Sequence, residues 1–203
     1  MPITVRKAGI EELDAVADAF ATAGADEAVA AWVMAGHPDI AAGYRADYVP
    51  RVVERALRDD EVWVAGEEDR IWAVSLWQHV TSEERVLAEA AEAREMAAAG
   101  PDVGPLRKLV YVTSLLAEHH PREFPHRYLQ AIVTLPEHRG KGAGGAIVAD
   151  RLKAYSDASE TAFLEASTER SARLYARNGF ARTGVTHTLP EDGPTLIPMW
   201  FRG

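Results

Sequence analysis

The chain has 203 residues, 47% apolar and 26% charged, with a formal net charge of −9 and no cysteine. Such a composition suits one domain over residues 1–203 with a sizeable core, and it excludes a disulfide framework, a thiol nucleophile and thiolate metal ligands. The acidity disfavours general nucleic-acid binding and favours, weakly, a cationic small partner. No apolar run approaches the roughly 18 residues of a membrane span. The N-terminal MPITVRKAGIEELD has no apolar stretch of the signal-peptide kind, so a cytoplasmic protein is expected.

In chain order, Ile3 and Val5 alternate with polar neighbours and predict a short first strand. Ile10, Leu13, Val16, Ala17 and Phe20 share one face of a helix. The alanine-rich stretch from Ala21 to Val49 is interrupted by Gly24, Gly36-His37-Pro38 and Gly43. Its Trp32, Met34, Tyr44 and Tyr48 suit either a substrate pocket or a lid over the core. Pro50 suits the first turn of a helix running to about Arg58. VWVAG (62–66) and RIWAVSLWQ (70–78) flank the polar turn EEDR and read as a hairpin. Thr81-Ser82-Glu83-Glu84 has the spacing of a capping box and opens a long helix that Gly100-Pro101 ends. A second helix is expected over Leu106–Ala117, followed by the irregular HHPREFPHR.

The most informative stretch is Arg127–Ala149, RYLQAIVTLPEHRGKGAGGAIVA. Tyr128, Leu129, Ile132, Val133 and Thr134 read as a strand that Pro136 stops. GKGAGG follows, then a helix carrying Ile147, Val148, Leu152 and Tyr155. A strand, a glycine-rich turn and a helix N-terminus present backbone N–H groups to phosphate, and Arg139 and Lys141 place two cations there. Beyond it, Thr161–Ala166 (TAFLEA) reads as a strand and Ser171–Arg177 as a short helix closed by Asn178-Gly179. RTGVTHTL, the turn PEDGP and TLIPMWF read as a closing hairpin. Leu196, Ile197, Met199 and Trp200 of that hairpin suit either core or dimer contacts.

Three phosphate-loop templates compete. A Walker A loop ends in Gly-Lys-Ser/Thr, whereas this one ends Gly144-Gly145-Ala146. Gly140, Gly142 and Gly145 satisfy the dinucleotide fingerprint G-x-G-x-x-G, with Glu165 about twenty residues on where a ribose-binding acid would sit. Pro-Glu-His-Arg intervenes before those glycines, however, and only 37 residues follow Ala166, too few for further βα units. The third template fits best. Arg139-Gly140-Lys141-Gly142-Ala143-Gly144 matches R/Q-x-x-G-x-G/A and resembles the pyrophosphate loop of the GNAT superfamily of acyl-CoA-dependent N-acyltransferases. VTLP before the loop and SARLYARNGFARTG after it resemble the same family. HPREFPHRYLQAIVTLPEHRGKGAG, FLEAS and LYARNGF look like its puromycin N-acetyltransferase-like branch.

The resemblance implies a mixed, mostly antiparallel α/β sheet with a splayed strand pair, flanked by helices and carrying an inserted helical pair. It implies acetyl-CoA as donor, bound by main-chain groups of Ile132, Val133 and Thr134. Arg139, Gly140, Lys141, Gly142, Ala143, Gly144 and Gly145 would hold the pyrophosphate. Tyr175 matches the family tyrosine that protonates the leaving thiolate. Glu165 matches the glutamate of the branch's F-L-E-x-S strand and is a candidate general base, direct or through water. Ser171, a further cofactor-binding position on this resemblance, stands where branch relatives often carry asparagine, and Arg127 where an aromatic is common, so puromycin is not assigned as substrate. The implied acceptor is a small-molecule amine, with no nucleic-acid or membrane partner, in a monomer or homodimer. His119, His120 and His126 lack metal-ligand spacing, although His120 or His126 would suit a base near the acceptor. Two alternatives are a catalytically silent acyl-CoA sensor and a dinucleotide-binding oxidoreductase.

Overall fold

The computed structural model describes residues 2–68 and 70–203, so Asp69 of the predicted Glu67–Arg70 turn lies outside the described residues. Strand β1 (Thr4–Lys7) is followed by a 3-10 turn and α1 (Leu13–Gly24). The alanine-rich stretch folds as α2 (Ala28–Met34), α3 (Pro38–Gly43) and a π-helical turn (Tyr44–Tyr48), and α4 (Val49–Asp59) follows. Next come β2 (Glu61–Gly66), β3 (Ala73–Val80) and the inserted pair α5 (Glu84–Ala99) and α6 (Gly104–His119). The chain then forms β4 (His126–Thr134), α7 (Ala143–Asp157), β5 (Ala162–Ala166) and α8 (Glu169–Arg177). Two short strands, β6 (Ala181–Arg182) and β7 (His187–Thr188), precede β8 (Thr195–Phe201).

The sheet order is β1-β2-β3-β4-β5-β8-β6, with β7 also on β8. Every pairing is antiparallel except β4–β5. That topology removes the dinucleotide alternative, which requires successive parallel βαβ units. The mixed, mostly antiparallel sheet and the helical insertion are as expected.

One irregularity organises the centre. Leu76 pairs with Ala131 but Trp77 pairs with Leu129, so Gln130 is an extra residue bulged out of β4. A bulge bends its strand and increases the local twist. Meanwhile all five residues of β5 stay in register with β8, from Ala162–Phe201 to Ala166–Ile197. The β4–β5 ladder therefore stops after Arg127–Ala162 and Tyr128–Phe163. Beyond that point the two strands diverge, which is the expected splay.

Helices cover both faces. On one, Val148, Leu152 and Tyr155 of α7 and Ala172 and Tyr175 of α8 pack on Trp77, Leu129, Leu164 and Met199. On the other, Val16 and Ala19 of α1 and Val53 and Ala56 of α4 pack on Val62, Val64, Leu76 and Val133. Trp32 belongs to neither and serves as core: it packs with Val112, Leu189 and Leu196, and its indole N–H donates to the Pro190 carbonyl (2.9 Å).

Three local readings are corrected. The Thr81-x-x-Glu84 capping box does not form; Glu83 is the N-cap residue of α5, and the nearest side-chain acceptor is Ser82 Oγ, 3.4 Å from the Glu84 N–H. The second hairpin strand starts at Ala73, not Arg70. The closing hairpin has a broken first arm: Ala181–Arg182 pair with Trp200–Met199, and His187–Thr188 with Leu196–Thr195. Pro198 is tolerated because its polar atoms face Thr183, where only its carbonyl is used, accepting the Thr183 N–H at 3.0 Å.

Candidate active site

The splay leaves the β5-facing edge of β4 without a ladder partner from Gln130 onward. Leu135 N–H donates to the Trp72 carbonyl (2.8 Å), which sets the phase of the backbone. Alternation then turns the polar groups of Val133 toward β3 and those of Ile132 and Thr134 toward the opening. The Thr134 carbonyl there accepts from Arg139 Nε at 3.1 Å. Of the three strand residues read as donor ligands, two therefore present main-chain groups to the gap.

Below the gap lies the glycine turn. Gly140 and Gly142 adopt φ of +76° and +96°, a region open to glycine and costly for residues with a Cβ. Gly142 is the N-cap residue of α7 and offers no side chain. Ala146 makes the first intrahelical bond, N–H to the Gly142 carbonyl at 2.8 Å. The amides of Ala143, Gly144 and Gly145 are thus the unpaired donors of a 15-residue helix, aligned with the positive end of its dipole. A Cβ on Gly144 would stand 3.2 Å from Thr134 Oγ1, which shows how closely helix and strand edge approach.

The two cations of the loop are differently committed. The Arg139 guanidinium pairs with Asp26 (2.6 and 2.7 Å) and donates to the Ala23 carbonyl (3.2 Å), so it fastens the end of α1 to the loop. Lys141 Nζ lies 3.4 Å from His138 Nδ1 and 5.5 Å from the centre of the Trp72 ring, on which His138 is stacked. Replacing Gly142 by alanine is expected to weaken acetyl-CoA binding about tenfold, at a folding cost of about 1–2 kcal/mol. A Cβ there meets only Ile3, at 4.0 Å, so the cost is conformational rather than steric. Calorimetric titration and a denaturation curve on the same variant separate the two effects.

Tyr175 stands on α8 beside the far end of β5. It is 7% exposed and packs edge-to-face on Phe180. Burial, reinforced by the Glu27 carboxylate, pushes its phenol well above the ordinary tyrosine range. Glu27 was not singled out from sequence. Its Oε2 accepts the N–H groups of Val29 and Ala30 (2.9 and 3.0 Å), capping α2, and its Oε1 accepts from Ser167 Oγ (2.7 Å). One carboxylate thereby ties α2 to the end of β5 next to Tyr175. Glutamate is not a favoured N-cap residue, so nothing local announced it. Ser171 is engaged locally, forming the reciprocal cap of α8 with Thr168.

Glu165 points to the other face, the one shared by Tyr128 and Phe163. Its Oε2 is enclosed and has no hydrogen-bond partner. Burial raises its carboxyl to about 7, against the opposing effect of a hydrogen bond from Tyr128. Burial, and then the Glu165 contact, push the Tyr128 phenol well above its usual range. The structure thus separates the two candidate catalytic groups, Tyr175 on the α7–α8 side and Glu165 on the α5–α6 side of one opening.

His120 and His126 join through their Nε2 atoms (3.0 Å), and His126 Nδ1–H donates to the Glu123 carbonyl (2.8 Å). Burial, first, and the neighbouring ring lower His120 to about 4. His120 packs edge-on against Tyr128 and Phe163. His119 stacks instead on His187. Arg127 is committed to Glu160 and Glu61 and lies over Tyr155. It therefore faces α7.

With this geometry in place, comparison with known proteins is direct. Residues 107–182 match the model of the acetyltransferase (GNAT) domain. A Corynebacterium glutamicum protein described as histone acetyltransferase HPA2 and related acetyltransferase superposes with a TM-score of 0.72 at 23% identity, covering 98% of this chain and 96% of that one. The polyamine N-acetyltransferase of Drosophila melanogaster, which forms N-acetylagmatine, gives 0.65 at 18%, with both chains covered completely. A PaiA N-acetyltransferase of Thermoplasma acidophilum, solved with coenzyme A, gives 0.57 at 12%, again over both whole chains. Residues 107–182 thus resemble a GNAT acetyltransferase domain, and the superpositions show that the whole chain shares the fold of these acetyltransferases. Among the described residues no helix is long and apolar enough to cross a membrane.

Proposed function

We propose that the protein transfers the acetyl group of acetyl-CoA to the primary amine of a small molecule, by direct attack in a ternary complex. The observation that carries this reading is the opening between β4 and β5, which ends at the bare N-terminus of α7 and is flanked by Tyr175 and Glu165. The pantetheine arm would pair with the exposed β4 edge, as an added strand does. The amides from Gly140 to Gly145 would hold the pyrophosphate, with the dipole of α7 behind them. Arg139, held by Asp26, would shape this end of the site more than it neutralises phosphate.

A protonated amine and a thioester give an amide, a free thiol and one proton, so the nitrogen loses two protons, the sulfur gains one, and each movement needs a partner. Glu165, with a carboxyl at about 7 and a lone pair without a donor, takes the ammonium proton directly or through water. The freed amine attacks the carbonyl carbon, and main-chain N–H groups of the open β4 edge stabilise the oxyanion. As the C–S bond breaks, the Tyr175 phenol donates its proton to the sulfur and regains one from the second proton that the nitrogen sheds as it becomes an amide. The Corynebacterium, Drosophila and Thermoplasma proteins share the fold that makes this arrangement, and the Drosophila enzyme acts on a small amine. On the same reading the chain acts as one cytoplasmic domain, alone or as a homodimer, without a nucleic-acid or membrane partner. Free-thiol release from acetyl-CoA across a panel of primary amines tests it. Amine-dependent release with the N-acetyl product supports the reading, and release that no amine accelerates contradicts it.

A further inference from the structure

We infer that the acceptor site has a second, cation-binding end formed by Glu89 and Gln78, so that the substrate is an amine carrying a second protonated nitrogen. This rests on the acyl-transfer reading above. Gln78 of β3 lies directly opposite Tyr128 of β4, and Tyr128 opposite Phe163 of β5. Cross-strand neighbours put their side chains on one face, and Glu165, two residues beyond Phe163, shares it. Helix α5 lays Glu89 over this face. Glu89 Oε1 accepts from Gln78 Nε2 (2.9 Å) and Arg85 Nε (3.0 Å). Its Oε2 has only a long contact with Gln130 Nε2, at 3.4 Å.

Two features mark this as a place for a donor. The Arg85 guanidinium is shared, bonding both Asp60 oxygens (3.3 and 2.7 Å) as well as Glu89, so two carboxylates face one cation and a negative charge is left over. Independently, Gln78 is 1% exposed and its Oε1 has no hydrogen-bond partner, although the same amide's nitrogen is bonded to Glu89. An enclosed acceptor without a donor is costly, and a cation bearing several N–H groups satisfies it together with the free carboxylate oxygen. The Glu89 side chain is 25% exposed, so the carboxylate is reachable. A cavity of about 360 Å³, lined by Gln78, Thr81, Ser82, Glu84 and Arg85, provides room alongside.

The placement of the two ends suits an extended ligand. Gln78 lies two strands across from Phe163, a lateral separation of roughly 10 Å between backbones, and Glu165 stands two residues further along the diverging β5. Tyr128 lies between, and its phenol feels both the Glu165 and Glu89 carboxylates. A linear diamine places one nitrogen at Glu165 for reaction and the other at Glu89 and Gln78. A metal ion is a poor fit, because among the described residues no three His, Asp or Glu side chains converge.

The test is calorimetric titration of 1,4-diaminobutane and of n-butylamine into the protein saturated with CoA. The diamine is expected to bind at least about tenfold more tightly, a preference that falls toward unity in Glu89→Gln. That variant keeps the size of the side chain and an oxygen for Gln78 and Arg85, and its CoA saturation reports that it is folded. Gln78→Met removes the orphaned oxygen without touching the carboxylate and is expected to reduce the preference severalfold. Equal affinities for the two amines, or a preference that survives both substitutions, overturns the inference. Thiol release measured in parallel keeps the two failures apart. Both amines acetylated with equal affinity sinks only the distal subsite, whereas a diamine preference without acetylation of either amine supports the subsite and contradicts the acyl-transfer reading.

Discussion

Replacing Tyr175 by phenylalanine is expected to lower kcat by roughly 10²–10⁴-fold while acetyl-CoA affinity changes by less than about threefold. The buried phenol, beside the Glu27 carboxylate, keeps its proton throughout the working pH range. It is therefore always charged with the proton that a departing thiolate needs. The phenylalanine ring preserves the edge-to-face contact with Phe180 and the packing against the α7–α8 side of the sheet. Loss of the oxygen alone should then appear in turnover, not in the denaturation midpoint. A purely structural tyrosine gives the opposite pattern, with a lowered midpoint and an unchanged kcat.

Glu165→Gln has the second large effect, also roughly 10²–10⁴-fold, and it comes with a pH signature. Burial holds the Glu165 carboxyl at about 7, so the basic form accumulates as pH rises through that value. In the parent enzyme kcat/KM should climb across pH 6–8 and level off above, whereas the glutamine variant should be flat over the same span. Stability should run the other way. A carboxyl whose folded value exceeds its unfolded value binds its proton more tightly when folded. Its contribution is fully present below about 4.5 and is lost as pH rises through about 7, a swing of roughly 3 kcal/mol. Denaturant midpoints at pH 5 and pH 8 should therefore differ more in the parent than in Glu165→Gln. A parent profile without the rise near 7 would leave the base role to another group.

Much of the backbone of this candidate site could be read in the chain because its geometry is local. The loop Arg139–Gly145 announces itself through glycines whose positive φ a sequence can encode, and β4, the turn and α7 follow one another without interruption. Tyr175 and Glu165 are candidates by motif, LYxxxGF and FLEAS. What escaped depends on distant partners. The Glu27–Ser167 bond joins residues 140 positions apart and rests on a glutamate acting as an unfavoured cap. The bulge at Gln130 has no proline or glycine to mark it, since it arises where a twisting β4 leaves a β5 anchored along its whole length to β8. The side-chain fate of Arg139 was equally hidden, because a cation in a phosphate loop looks the same whether it meets a phosphate or Asp26. Between Ala21 and Val49 alanine supplies helix propensity but little amphipathic contrast, so two short helices and a π turn carry no clear period.

The most direct measurement is calorimetric titration of the purified protein with acetyl-CoA, CoA and NAD(H) in parallel. The open β4 edge and the bare end of α7 call for saturable one-to-one binding of acetyl-CoA and CoA, weakened about tenfold by Gly142→Ala, with no heat from NAD(H). Saturation by NAD(H) while acetyl-CoA gives no signal would contradict the account at its centre and turn Glu165 from a base into a ribose ligand.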